Sequence, residues 1–337
     1  MMMNNTLRTQ FNFSPGTIVN GKWHKNRYKL IKELGAGANG IVYLAEGSKG
    51  YVALKMSDNS ASVTSEVNVL KAFSKVQGKS LGPSLLEMDD WEAGNKIVPF
   101  YIMEYIHGLD LLSFIRKKGQ SWTGVLIVQL LNDLHLLHKE GWVFGDLKPE
   151  NLIVTGPPAK IRYIDVGGTT KQGRAIKEFT EFFDRGYWGA GTRKADPQYD
   201  LFAVSMVVVN LAYPKRLTKS GDYKVQISNA IKQHSEIKHL EPVLMKAIMG
   251  RYSSAMEMKK DLLGILTKSG ISDSRTLNKV VQPPKPRASV STGMASRSDA
   301  VRQKKRKRKK MIGLVETLMI IVVVSILYAL YIYRQVL

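Results

Sequence analysis

The chain has 337 residues, 50 Lys/Arg against 28 Asp/Glu for a formal net charge of +22, and no cysteine. That length can bury a core without covalent staples, and the lack of thiols excludes disulfides and structural thiol chemistry, as suits a reducing compartment. Between Lys268 and Lys310 stand 14 Lys/Arg and two Asp, 14 − 2 = +12, so more than half of the excess charge is local and the remainder leaves the chain mildly basic.

Residues 1–14 are expected to form a tail, and MMMNNTLRTQFNFSPG carries no apolar run of signal-peptide length, so export by a cleaved signal is not expected. From about Ser14 to Leu266 strand-like and helix-like patterns alternate with short turns, as in a single α+β unit, and helical periodicity dominates after Leu111. Within the first strands, KELGAGANGIVYLAE (Lys32 to Glu46) is a glycine-rich hairpin with Gly35, Ala36, Gly37 and Gly40 followed by Val42. Such a turn lets backbone N–H groups approach phosphate oxygens that a Cβ would obstruct, although glycine-rich hairpins are common for other reasons.

Fifteen residues past Gly40, the apolar strand Val52-Ala53-Leu54-Lys55 ends in a lysine. Burying that ammonium is costly unless an anion neutralises it, and the α and β phosphates of ATP are such an anion. Glu66, in the helix-patterned TSEVNVLKAF, is the candidate to hold the ammonium in place. The alternative is a solvated helix glutamate, because a spacing of eleven residues is short.

GWVFGDLKPENLIV (Gly141 to Val154) is the sharpest signal. There Asp146 would accept the hydrogen bond of an attacking hydroxyl, Lys148 would steady a moving γ-phosphoryl group, and Asn151 would bind a metal ion from a fixed loop. Nineteen residues beyond Asp146, Asp165 precedes a glycine turn in IDVGG, a placement that suits a Mg²⁺ ligand bridging β and γ phosphates. Either aspartate alone could be an ordinary loop cap, but the joint spacing argues against coincidence.

With these residues in hand, the segment from about Lys29 to Leu263 resembles the eukaryotic-like (Hanks-type) bacterial serine/threonine protein kinases. The resemblance implies a bilobal α+β protein-kinase fold over residues 15–266, with a small β-rich lobe to about residue 105 and a shortened helical lobe from 106. It implies ATP and Mg²⁺ as cofactors, transfer to protein Ser/Thr hydroxyls, and autophosphorylation. By the same resemblance the glycines and Val42 form a phosphate lid and Lys55 pairs with Glu66. Ala53 lines the nucleotide site, MEYIHG (Met103 to Gly108) is a hinge whose backbone at Glu104 and Ile106 meets the adenine edge, and Asp200 ties the catalytic loop from below.

The departures from that family are specific. Phe144-Gly145 stands where most members carry His-Arg, Val166 replaces the phenylalanine of the metal-binding turn, and ADP at Ala195 to Pro197 is the nearest remnant of Ala-Pro-Glu. Without the arginine, a phosphate on the activation segment lacks its usual cationic anchor, so modification of Thr169, Thr170, Thr180 or Thr192 is not expected to be the main on-switch. A small-molecule kinase and a pseudokinase serving as a DNA-binding or membrane scaffold are the alternative readings.

Residues 267–310, rich in Lys, Ser, Pro and Arg, are expected to form a disordered basic linker. It ends in Arg302, Lys304, Lys305, Arg306, Lys307, Arg308, Lys309 and Lys310, a run for anionic headgroups or, by counterion release, for non-specific DNA. Residues 312–333 are apolar apart from Glu316 and would span about 33 Å as a helix. The basic run then places all that precedes it on the cytoplasmic side of the cell membrane, with 334–337 across it. Ser325 and Ala329, four apart, offer a small-residue contact for a homodimer.

Overall fold

Six strands with β-branched and aromatic residues alternating across the pleat build the first lobe: β1 (Ile18–Asn20), β2 (Arg27–Gly37), β3 (Gly40–Gly47), β4 (Gly50–Met56), β5 (Leu85–Ala93) and β6 (Lys96–Glu104). They pair antiparallel in the order β1-β2-β3-β4-β6-β5. The computed structural model describes residues 11–37, 39–74 and 82–280. The chain divides into two units, 1–278 and 279–337.

One face of this sheet closes over Val19, Leu30, Ile41, Leu54 and Phe100, all buried. Phe11 joins them at 2% exposure and the Tyr43 hydroxyl donates to its carbonyl, so the expected tail of 1–14 ends earlier than its composition implies. The other face receives α1 (Ser60–Ser74), whose first turn is capped by Asn59 Oδ1 accepting from Ala61 N and Ser62 N at 3.0 and 3.1 Å. The cap and the stripe Val63, Val67, Leu70, Phe73 turn Glu66 inward along with the apolar residues.

The second lobe opens with β7 (Leu109–Asp110), α2 (Leu111–Lys118), α3 (Ser121–Lys139) and β8 (Trp142–Val143). β9 (Leu152–Thr155) and β10 (Lys160–Tyr163) then form a hairpin, and β11 (Thr170–Lys171) returns to pair with β8. Because Leu152 faces Tyr163 in that hairpin, Asn151 and Ile164 meet at its open end, with Ile164 N donating to Asn151 O at 3.1 Å. This register brings Asn151 and Asp165 to one edge, which their sequence spacing alone does not do.

After α4 (Arg185–Trp188) the chain enters α5 (Pro197–Ala212), in which every residue from Tyr199 to Leu211 is buried. A helix apolar on all sides belongs at the centre of its lobe, and it starts where Asp196 caps Tyr199 N ahead of Pro197. Around it lie α6 (Tyr223–Gln233), α7 (Glu241–Ile248) and α8 (Ala255–Val280). Leu266 of α8 seats directly on Gly124 of α3. The helix then continues to Val280, so the expected linker boundary at 267 falls inside a helix.

Among the described residues no helix is long and apolar enough to cross a membrane. The expected span at 312–333, the basic run at 302–310 and the tail at 334–337 lie outside the described residues.

Candidate active site

The two lobes face each other across a cleft of about 600 Å³, whose lining includes Gly35, Ala36, Gly37, Gly40, Val42, Ala53, Lys55, Glu104, Ile106, Asp146, Lys148, Asn151 and Asp165. Of the residues singled out in the described chain as catalytic, nucleotide-binding or metal-binding, Glu66 alone stands behind the wall rather than in it. Its position is explained by its partner: Lys55 Nζ donates to Glu66 Oε2 at 2.6 Å and lies 3.7 Å from Asp165 Oδ1. The short spacing is spanned because β4 leads into α1 through a brief turn, so the helix's second turn comes back level with the end of the strand.

Lys55 is only 6% exposed. Burial opposes its charge, but the carboxylates of Asp165 and Glu66 more than offset that, and its pKa is raised. Tyr101 also donates to Glu66 Oε2, at 2.6 Å, fixing the carboxylate from the sheet side. Asp165 shows the reciprocal effect: burial disfavours its charge, while Lys55 and the Gly167 N–H, 3.0 Å away, hold its carboxyl below the usual range.

On the floor of the cleft Asp146 is 7% exposed and is surrounded by donors. Lys148 Nζ bonds its Oδ2, and Asn151 Nδ2 donates to its carbonyl at 2.9 Å. With the amide nitrogen of Asn151 so committed, its amide oxygen is the atom left for a cation. Below, Asp200 carries no exposed surface and accepts from Phe144 N at 2.8 Å and Gly145 N at 3.0 Å, with His138 Nε2 at 2.9 Å. The expected tie from α5 to the catalytic loop is therefore present, and His138 adds a third bond that the motif does not disclose.

Gly145 also has a local reason. Its φ is +86°, and a Cβ there would lie 2.6 Å from the carbonyl oxygen of Gly168. The catalytic loop and the metal-turn backbone are thus in contact where a side chain would keep them apart. Phe144, the other departure, packs its ring 4.7 Å from Tyr163, and Val166 is 2% exposed, so both substitutions serve the core.

Among the cleft residues to which the sequence reading gave no role in the site are Asn39, Glu178 and Phe179, and Thr180, named there only as a modification candidate, joins them. The Thr180 hydroxyl donates to Asp146 Oδ1 at 3.0 Å and accepts from Lys148 Nζ at 3.4 Å. Glu178 Oε1 accepts from Asn39 Nδ2 in the lid. Burial, and next the nearby Asp165, push the Glu178 carboxyl up to about 7, against the pull of Lys55. No motif spacing marks Glu178, Phe179 or Thr180, because they arrive in the cleft through the course of an irregular segment, whereas Asn39 lies within the glycine hairpin itself. Thr169 and Thr170 are buried, whereas Thr192 is exposed.

The protein kinase domain family matches residues 28–284, most of the chain. The chain belongs to the protein kinase family. Among its relatives, the serine/threonine-protein kinase YabT of Bacillus subtilis is 49% identical over 337 residues, covering 98% of both chains. The serine/threonine-protein kinase ArnS of Sulfolobus acidocaldarius is 25% identical over 74% of this chain and 46% of its own. The serine/threonine-protein kinase ppk31 of Schizosaccharomyces pombe is 31% identical over 42% of this chain and 14% of its own. The ppk31 likeness covers less than half of this chain, while the YabT likeness extends over nearly the whole length.

Proposed function

We propose that this kinase transfers the γ-phosphoryl group of MgATP to Ser/Thr hydroxyls of proteins, its own included, from a membrane-anchored position. The observation that carries the reading is the convergence of Lys55, Asp146, Lys148, Asn151 and Asp165 on one cleft beneath a glycine hairpin. Asp165 and Asn151 offer carboxylate and amide oxygens with no sulfur or imidazole among them, the hard donor set that magnesium prefers. A magnesium ion there supplies neutralisation of the phosphate charge.

The chain's own groups divide the remaining work. The backbone of Glu104 and Ile106 offers hydrogen bonds to the adenine edge, between walls made by Val42 and Ala53. Lys55, locked by Glu66, presents its ammonium to the α and β phosphates, and the lid from Gly35 to Gly40 brings N–H groups over them. Asp146 accepts the hydrogen bond of the acceptor hydroxyl, and Lys148 meets the charge on the moving phosphoryl group. The test is phosphotransfer to a basic acceptor protein by the full chain: Asp146→Asn should lower turnover by at least about 100-fold. Equal turnover would sink the reading.

Ser/Thr preference is supported by the names of the relatives and by Lys148 beside Asp146. The membrane part rests on residues 312–333 and on the eight basic residues from Arg302 to Lys310, which suit anionic headgroups and, through counterion release, non-specific DNA. A paired span through Ser325 and Ala329 would bring two kinase domains together and favour phosphorylation in trans. Neutralising Lys304, Lys305, Lys307 and Lys309 should abolish DNA retardation at low salt and weaken binding to anionic vesicles. Retardation unchanged by the four substitutions removes DNA as a ligand of the run.

A further inference from the structure

One stretch of the chain, running from Lys177 to Thr180, touches three separate parts of the cleft. Lys177 Nζ donates to Ser65 Oγ at 2.9 Å, next to the Glu66 that holds Lys55. Glu178 accepts from Asn39 at the tip of the lid, and Thr180 bonds Asp146 and Lys148 on the floor.

The lid needs such a contact. A Cβ at Gly35 or at Gly37 would meet no protein atom within 4 Å, so that arm of the hairpin has little packing of its own to hold it. A glycine-rich turn without packing samples many backbone conformations, and each one not aimed at the phosphates costs affinity. The Asn39–Glu178 bond joins that turn to the opposite lobe.

We propose that Glu178 is a positioning residue for phosphoryl transfer, anchoring the lid through Asn39 so that lid and catalytic loop stay in register without a phosphate on the segment. The last clause follows from Gly145. A side chain there would meet the backbone of Gly168, so the loop cannot supply the arginine that would grip a phosphothreonine. A direct carboxyl–amide bond does a comparable ordering job within the unmodified chain. It holds in either protonation state, since a carboxylic acid keeps a carbonyl oxygen that accepts from an amide.

This inference rests on the kinase reading above, and the experiment separates the two. The full chain and its variants are compared for KM of ATP, for kcat, and for calorimetric binding of MgATP. Glu178→Ala and Asn39→Ala should each raise KM and weaken MgATP binding by about five- to tenfold, with kcat within about threefold. Glu178→Gln keeps an acceptor oxygen and should stay at or below the wild-type KM. The Asn39→Ala/Glu178→Ala double variant should be no worse than the worse single, because both remove one bond.

Alanine variants at wild-type KM, a glutamine variant as impaired as the alanine, or additive losses in the double would each overturn the proposal. Asn39→Ala lies on the half-buried turn of the lid, outside the apolar cores, and guards against misfolding as the cause of any loss. If Asp146→Asn left turnover intact, the transfer reading would fail, while the MgATP affinities would still decide the role of Glu178.

Discussion

The roof and the floor of the cleft are built by opposite means. On the floor, Asp146, Asn151 and the loop between them are held by buried hydrogen bonds, with Asp200 beneath taking two backbone N–H groups and His138 at once. The roof is a hairpin in which a Cβ at Gly35 or Gly37 would meet nothing within 4 Å, tied to the other lobe through the Asn39 side chain. The contrast teaches that groups which must sit within tenths of an ångström of the reacting atoms are fixed by the core. The part that must admit and release a nucleotide is given few constraints, and those it has can be broken singly.

The largest expected effect lies on the floor. Asp200→Ala leaves Phe144 N, Gly145 N and His138 without a shared acceptor in a region of no exposure, and should cost about 3–5 kcal/mol in chemical denaturation. Activity should fall with it. A loss below about 1 kcal/mol would mean that the floor is held by packing alone and would erase the contrast.

Next come two glycines of the same hairpin. Gly40 has φ +133° and a Cβ there would collide with the carbonyl oxygen of Met56, so Gly40→Ala should destabilise the protein by about 1–3 kcal/mol. Gly37→Ala meets no neighbour and should leave the melting temperature within about 2 °C while raising KM for ATP severalfold. Equal behaviour of the two would show that the roof is one unit rather than a fixed base with a free tip.

The smallest effect is a pH dependence at the junction of roof and floor. The Glu178 carboxyl, pushed up to about 7 in the folded chain, titrates near the ordinary carboxylate range when unfolded. The folded state then holds its proton more tightly, so its contribution to stability is full below about pH 4.5 and is lost as pH rises through 7. Glu178→Gln should therefore melt a few degrees higher than the wild type at pH 8, with the gap closing toward pH 5. A gap that is constant with pH would show that the carboxyl titrates normally.

Much of the site could be read before any fold was known. Lys55, Asp146, Lys148, Asn151 and Asp165 stand in local patterns whose chemistry needs those side chains in that order, and all five line the cleft. Glu66 could be named but not secured, since whether the helix turns it inward depends on its cap at Asn59 and on the apolar stripe beside it. The departure at Gly145 was visible as a missing arginine; its cause, contact with Gly168, was not.

By itself the sequence determined which side chains can handle a triphosphate and a hard cation, because identity and short spacing are local properties. It also fixed where the strand-rich part yields to helices. Only the tertiary structure decided that Phe11 belongs to the core and that α8 runs past residue 267. It likewise decided that the Asp200 carboxylate bonds His138 as well as the catalytic loop and that Glu178 reaches Asn39 across the cleft. These are contacts between residues far apart in the chain, 139 positions in the last case, and no local preference of either partner encodes its meeting with the other.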